Sequence, residues 1–144
     1  MAAMPDEPDA APADLVDALV RTSFAVMAVL TRVAAEHDLS LTQLRVLAVL
    51  RDRPLRVTAL ADHLGLEKST MSGLVDRADK RGLLVRAPGE RDRRAVDVRL
   101  SAAGEELVDR VRADVERALD PVAAALAPAE RRRLRALLAK ALAR

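Results

Sequence analysis

Residues 89–104 read GERDRRAVDVRLSAAG. Arg91, Arg93 and Arg94 crowd a short polar turn behind Gly89. An alternating run follows, with Val96, Val98 and Leu100 on one side and Asp97 and Arg99 on the other, which is the pattern of a half-buried strand. Ser101 then introduces a helix. A matching run precedes the turn, so LLVRAPGERDRRAVDVRL (83–100) reads as a β-hairpin around Pro88–Gly89 with arginines at its tip. Arginines at a hairpin tip serve no core: they meet a polyanionic partner or lie in a solvated loop.

Working back from the hairpin, EKSTMSGLVDRADKRG (67–82) has helical spacing, with Met71, Leu74, Val75 and Ala78 on its inner face. Lys80 and Arg81 suit its negative C-terminal end, and Gly82 stands where a left-handed cap is wanted. Before it, VTALADHLG (57–65) reads as a short helix with Thr58 as N-cap and Gly65 permitting a sharp turn. Two short helices joined by such a turn form a helix-turn-helix. Further back, SLTQLRVLAVLRDRP (40–54) opens on a capping box, Ser40 and Gln43, buries Leu44, Leu47, Ala48 and Leu50, and stops at Pro54.

Two apolar stretches flank this module. Leu15, Leu19, Val26, Leu30 and Val33 recur at helical spacing, with Val16, Val20, Met27 and Ala34 beside them, and the helix ends near Glu36–Asp38. On the other side Leu107, Val108, Val111, Val115, Leu119 and Val122 run down one helix, with Pro121 placed to kink it. Pro128 opens a last helix carrying Leu134, Leu137, Leu138 and Leu142. The expected organisation is a disordered acidic, proline-bearing tail (1–13), an N-terminal dimerisation helix (14–38), a winged helix-turn-helix module (39–100) and C-terminal dimerisation helices (101–144). The fold class is mainly α with a small β-hairpin wing. One small module cannot cover all the flanking apolar faces, and a second copy related by a two-fold axis is the simplest closed solution.

Composition narrows the function. The 144 residues contain no Cys, Trp or Tyr and a single Phe, Phe24. Disulfides and thiol chemistry are excluded, and a core of Ala, Val and Leu suits packed helices. The net charge is +2, but it is unevenly spread: −4 over residues 1–50, +4 over 51–100 and +2 over 101–144. The basic excess coincides with the module, as expected of a surface for polyanions. His37 and His63 are the only histidines; both read as surface or helix-end residues. A zinc site needs three or four ligands and without Cys would have to recruit carboxylates beside them; no such set and no catalytic constellation stands out, so neither metal, cofactor nor enzyme activity is expected. The first residues lack the basic start and apolar run of a secretory signal. The longest apolar run near the start, Phe24–Leu30, is short of a membrane span. A cytoplasmic protein without a membrane partner is the expectation.

LTQLRVL (41–47), LADHLGLEKSTMSGLVDRADKRGLLVR (60–86) and DRRAVDVRLSAAG (92–104) together resemble the MarR family of bacterial winged-helix regulators. The last is the most specific: Asp-x-Arg, a strand, then Leu-Ser-x-x-Gly at fixed spacing. The resemblance runs from about Leu41 to Gly104; the flanking helices match in arrangement only. It implies a homodimer that binds pseudo-palindromic double-stranded DNA, usually as a repressor released by a small-molecule effector. The family's pocket lies between the dimer helices and the winged module; here it would be aliphatic, near Phe24, with no residues assignable.

On this reading the recognition helix, about 67–81, offers Lys68, Ser69, Thr70, Ser72, Gly73 and Arg77 to the major groove. The wing, 87–95, offers Arg91, Arg93 and Arg94 to the minor groove or to phosphate. Thr42 and Arg45 stand where a helix start meets phosphate. Asp92 would repel phosphate and is expected to brace the wing by pairing with an arginine. The resemblance further implies that Asp76 pairs with Arg94, linking helix to wing. Three positions depart from the family's pattern: Gly73 where a long polar residue is frequent, Ala78 where Leu is usual, and Glu67 where Ser or Thr caps. Arg131, Arg132, Arg133 and Arg135 read as the solvated face of the last helix. Two other readings remain open: a winged helix that docks protein partners, and an architectural DNA binder without sequence preference.

Overall fold

The computed structural model describes residues 12–143. The expected tail therefore lies outside the described residues except for Pro12 and Ala13, which already belong to the first helix. Six helices and one hairpin follow in order: α1 Pro12–Glu36, α2 Leu41–Asp52, α3 Val57–Leu64, α4 Lys68–Lys80, β1 Leu84–Pro88, β2 Val96–Leu100, α5 Ala102–Ala124 and α6 Pro128–Leu142. The fold is a winged helix-turn-helix between long flanking helices, as the patterns predict.

Local chemistry explains most of the boundaries. The Ser40–Gln43 capping box is present: Gln43 N–H donates to Ser40 Oγ (3.1 Å) and Ser40 N–H to Gln43 Oε1 (2.8 Å). Ser101 caps α5, accepting from Gly104 N–H (3.0 Å). Gly65 ends α3 at φ 66, and Gly82 follows α4 at φ 73. The cap of α3 is Arg56, not Thr58, which lies inside the helix; Arg56 makes no side-chain cap bond, because a guanidinium has no acceptor to offer the first N–H groups. α5 runs through Pro121 to Ala124. Two residues past the end of α1, Asp38 is left-handed (φ 57) although it bears a Cβ. That conformation costs an L-residue roughly 1–2 kcal/mol.

Strand pairing runs from Leu84↔Leu100 to Pro88↔Val96, so the turn spans 89–95, within the wing expected at 87–95. Val96 at the wing's outer end is exposed, whereas Val98 and Leu100 are buried. Val98 also pairs on its far side with Leu55, N–H to O at 3.0 and 2.8 Å. This short bridge makes β2 the middle strand and ties the wing base to the α2–α3 junction.

The core sits within the module and where α1 and α5 cross it. Leu47, Leu60, Met71, Leu84, Val33, Val46, Val75 and Val98 are its largest fully enclosed side chains. Each such apolar side chain stabilises by about 1.5–3 kcal/mol on burial. Ala48, expected inside, is exposed, and Val46 is buried instead. α2 is wrapped on more than one side, by α1, α3, α5 and β2, so its buried face is wider than one stripe.

The flanking helices differ. α1 packs on α5 through its C-terminal half, burying Val33 and Ala34. Leu15, Val16, Leu19, Val20, Phe24 and Met27 remain exposed in the single chain. α6 buries no residue at all. α1 from Asp14 to Glu36 is long and apolar enough to cross a membrane, a length that the short run Phe24–Leu30 understates. It nevertheless carries the ion pairs Arg21–Asp17 and Arg32–Glu36 along its surface.

Candidate nucleic-acid interface

α4 presents two unlike faces. Met71, Leu74, Val75 and Ala78 are buried; Ala78 fills the place of a larger residue while staying within the core. On the other face Lys68, Ser69, Thr70 and Arg77 are exposed, and Ser72 and Gly73 are half-buried. Glu67 makes no side-chain cap bond. The first amide N–H groups of α4 therefore have no side-chain acceptor, and a helix start with free donors attracts anions. A Cβ added at Gly73 would meet only Arg77 Nη1, at 3.6 Å. The fold does not require glycine there; its absence of side chain leaves the outer face low, with the Arg77 guanidinium beside it.

The wing loop is built from backbone hydrogen bonds. Gly89 N–H donates to Ala95 O (2.8 Å) and Ala95 N–H to Asp92 O (3.1 Å). A Cβ at Gly89 would lie 2.5 Å from Asp92 O, so this corner of the loop closes only around glycine. Asp92 Oδ1 accepts from Arg94 N–H (3.0 Å). Asp92 thus braces the wing through the backbone, and not through an arginine side chain as its sequence context suggests. Arg91, Arg93 and Arg94 are exposed, and among the described residues none of them forms an ion pair. Three guanidinium groups are left to point at solvent or at a partner.

The link between helix and wing uses different residues from those expected. Asp76 pairs with Arg86 Nη2 (2.5 Å), not with Arg94, and Asp79 takes Nη1 of the same guanidinium. Asp76 and Asp79 stand three apart and share a helix face. Arg86 on β1 lies directly across from them, whereas Arg94 is out on the loop. The forked guanidinium therefore spans both carboxylates and fixes the angle between α4 and the wing. Exposed ion pairs stabilise little; the geometry is what this one contributes. Sequence reasoning misses Arg86 and Asp79, although two aspartates at i, i+3 opposite a strand arginine are a visible signal.

The remaining candidates are peripheral. Thr42 is half-buried and Arg45 exposed on the first turns of α2, whose N-terminal end is already closed by the capping box. His63 is exposed. His37 is not a simple surface residue: its Nε2 donates to Asp114 Oδ2 on α5 (2.7 Å). That bond holds the Asp114 carboxyl below the usual carboxylate range; partial desolvation opposes it and the Arg117 charge reinforces it. Among the described residues no cluster of three or more His, Cys, Asp or Glu is placed to hold a metal.

Comparison with known proteins places this geometry. A profile of the MarR family matches residues 37–95, from the end of α1 to the wing tip. The HTH-type transcriptional regulator PecS of Dickeya dadantii is 31% identical over 139 residues, covering 92% of this chain and 82% of PecS. Among solved structures, RV1404 from Mycobacterium tuberculosis superposes with a TM-score of 0.74 at 28% identity, covering 91% of this chain and 92% of that one. CouR from Rhodococcus jostii RHA1, bound to p-coumaroyl-CoA, superposes at 0.72 with 24% identity, covering 87% and 89%.

Proposed function

The chain belongs to the MarR family, and from that premise we propose that it is a ligand-responsive, homodimeric repressor that binds pseudo-palindromic duplex DNA. That it is a DNA-binding regulator of transcription follows from the family. The single observation that carries the finer reading is the pairing of a polar, uncapped α4 start with an unpaired arginine wing, held at a set angle by Arg86.

In this reading α4 enters the major groove. Lys68, Ser69, Thr70, Ser72 and Gly73 approach base edges, and Arg77 approaches the backbone. Arg91, Arg93 and Arg94 reach the adjacent minor groove, whose negative potential rewards guanidinium groups. Thr42 and Arg45 contact phosphate through their side chains. The exposed apolar residues of α1 and α6 meet their equivalents in a second copy. A two-fold dimer would then set two α4 helices on successive major grooves, about 34 Å apart. The acyl-CoA thioester held by CouR supports a small-molecule effector that alters this spacing. Such a protein works in the cytoplasm, without a membrane partner, a cofactor or enzymatic chemistry.

Selection of bound duplexes from a random pool, at two salt concentrations and with Arg94→Ala alongside, tests the proposal. Enrichment of a two-fold symmetric site is expected. Arg94→Ala should bind it more weakly and lower the slope of log affinity against log salt by about 0.9 for each phosphate no longer neutralised. Salt-sensitive binding without enrichment would favour an architectural role. No binding by the ligand-free protein would favour a protein-docking module.

A further inference from the structure

The end of α1 is closed in an unusual way. Leu39 N–H returns to Ala34 O (2.9 Å), which is the wide loop of a left-handed helix cap. The residue at its apex is Asp38, where glycine is usual. The last turn of the recognition helix reaches this strained corner. Arg81, which caps α4, donates from Nη1 to Asp38 O (2.8 Å) and from Nη2 to His37 O (3.3 Å). One planar guanidinium across two successive carbonyls fixes a direction as well as a distance. It also sits at the negative end of a 25-residue helix.

The same corner is also held by α5. His37 Nε2 donates to Asp114 on α5, and Asp114 also accepts from Arg117. A continuous polar path therefore runs from Arg117 and Asp114 through His37 to Arg81, from the middle of α5 to the end of α4. It crosses from a flanking helix to the recognition helix without using any residue of the DNA-facing surface.

We propose that Arg81 is a positioning residue for DNA recognition. It sets the recognition helix against α1 through the His37–Asp38 corner, and the His37–Asp114 bond passes displacement of α5 on to that helix. The inference rests on reading α4 as the DNA-recognition element, and its test separates the two.

The first measurement is amide hydrogen exchange on the free, full-length protein, following Met71–Lys80 with the α3 amides as internal reference. Asp114→Ala is the decisive variant, because its hydrogen bonds go to His37 and Arg117 rather than to α4. It should speed exchange in α4 by about fivefold, the effect of removing one hydrogen bond. Arg81→Ala should do the same, Arg81→Lys should restore part of the protection, and the double variant should exceed neither single. His37→Leu repeats the test from the other partner. Additive effects, or an α4 indifferent to Asp114→Ala, would overturn the coupling. The second measurement is affinity for the duplex enriched from the random pool. Reductions in the same rank order are expected. Equal affinities alongside altered exchange would refute the positioning role, and failure of the wild type to bind any duplex would overturn the DNA reading while the exchange result stood.

Discussion

At Gly104 a missing Cβ decides where α5 begins. An added Cβ would collide with the carbonyl oxygen of Leu83, while Ser101 N–H donates to that same oxygen (3.0 Å) and Ser101 Oγ donates to Gly82 O. The Leu-Ser-x-x-Gly pattern is therefore a packing requirement: serine starts the helix and glycine lets its first turn lie on the chain entering β1. Gly104→Ala should cost about 1–3 kcal/mol, as over-packing does, and lower the thermal unfolding midpoint by several degrees. Gly73→Ala, where space is open, should shift the midpoint the other way, by the gain of about 0.5–1 kcal/mol from helix propensity. Equal shifts in a melting experiment would show that neither glycine is placed by sterics. The pattern is legible in the sequence; its cause is not, because Leu83 and Gly104 meet only once the hairpin closes.

Among the elements, the wing matters through its angle to α4 as much as through its charge. The guanidinium of Arg86 bridges Asp76 and Asp79, and Leu55 anchors β2 from the far side. Arg86→Ala should weaken duplex binding about tenfold, roughly 1.4 kcal/mol, as α4 and the wing lose their fixed angle. It should leave the salt slope nearly unchanged, since the Arg86 charge is already neutralised by carboxylates. Arg94→Ala should lower affinity and slope together. Binding titrations of both variants over a range of salt would distinguish them, and a reduced slope in Arg86→Ala would mean that it touches phosphate itself. Alternation finds the two strands and the wing between them, but not that Val96 faces solvent, because the pattern does not tell how far along the strand the core reaches.

Across the whole molecule, the winged module is finished and the flanking helices are not. Leu134, Leu137, Leu138 and Leu142 of α6 are exposed, as are Leu15, Val16, Leu19, Val20, Phe24 and Met27 of α1. Val26, Leu119, Val122, Ala123, Leu126, Leu134 and Leu138 line an apolar groove of about 400 Å³ rimmed by Arg131 and Arg135. Apolar patches of this extent mark association surfaces. On the proposed two-fold dimer, the wild type should sediment as a dimer and Leu134→Glu with Leu138→Glu as a folded monomer, with duplex binding weaker by at least about a hundredfold as the second half-site goes unoccupied. A double variant that stays dimeric would place the interface elsewhere.

What the sequence by itself determined is the order and kind of elements, the caps at Ser40 and Ser101, the glycine turns, and the arginine wing behind a helix-turn-helix. Those depend on neighbours within one turn or one hairpin, where periodicity and capping chemistry act directly. Tertiary structure alone decided that Arg86 and not Arg94 bridges to Asp76, that Val46 and not Ala48 is buried, that Leu55 joins the sheet, and that His37, Asp38, Arg81 and Asp114 share one polar path. Each joins residues far apart in the chain or depends on which neighbours surround an element, so partner and burial follow from how the elements pack rather than from spacing.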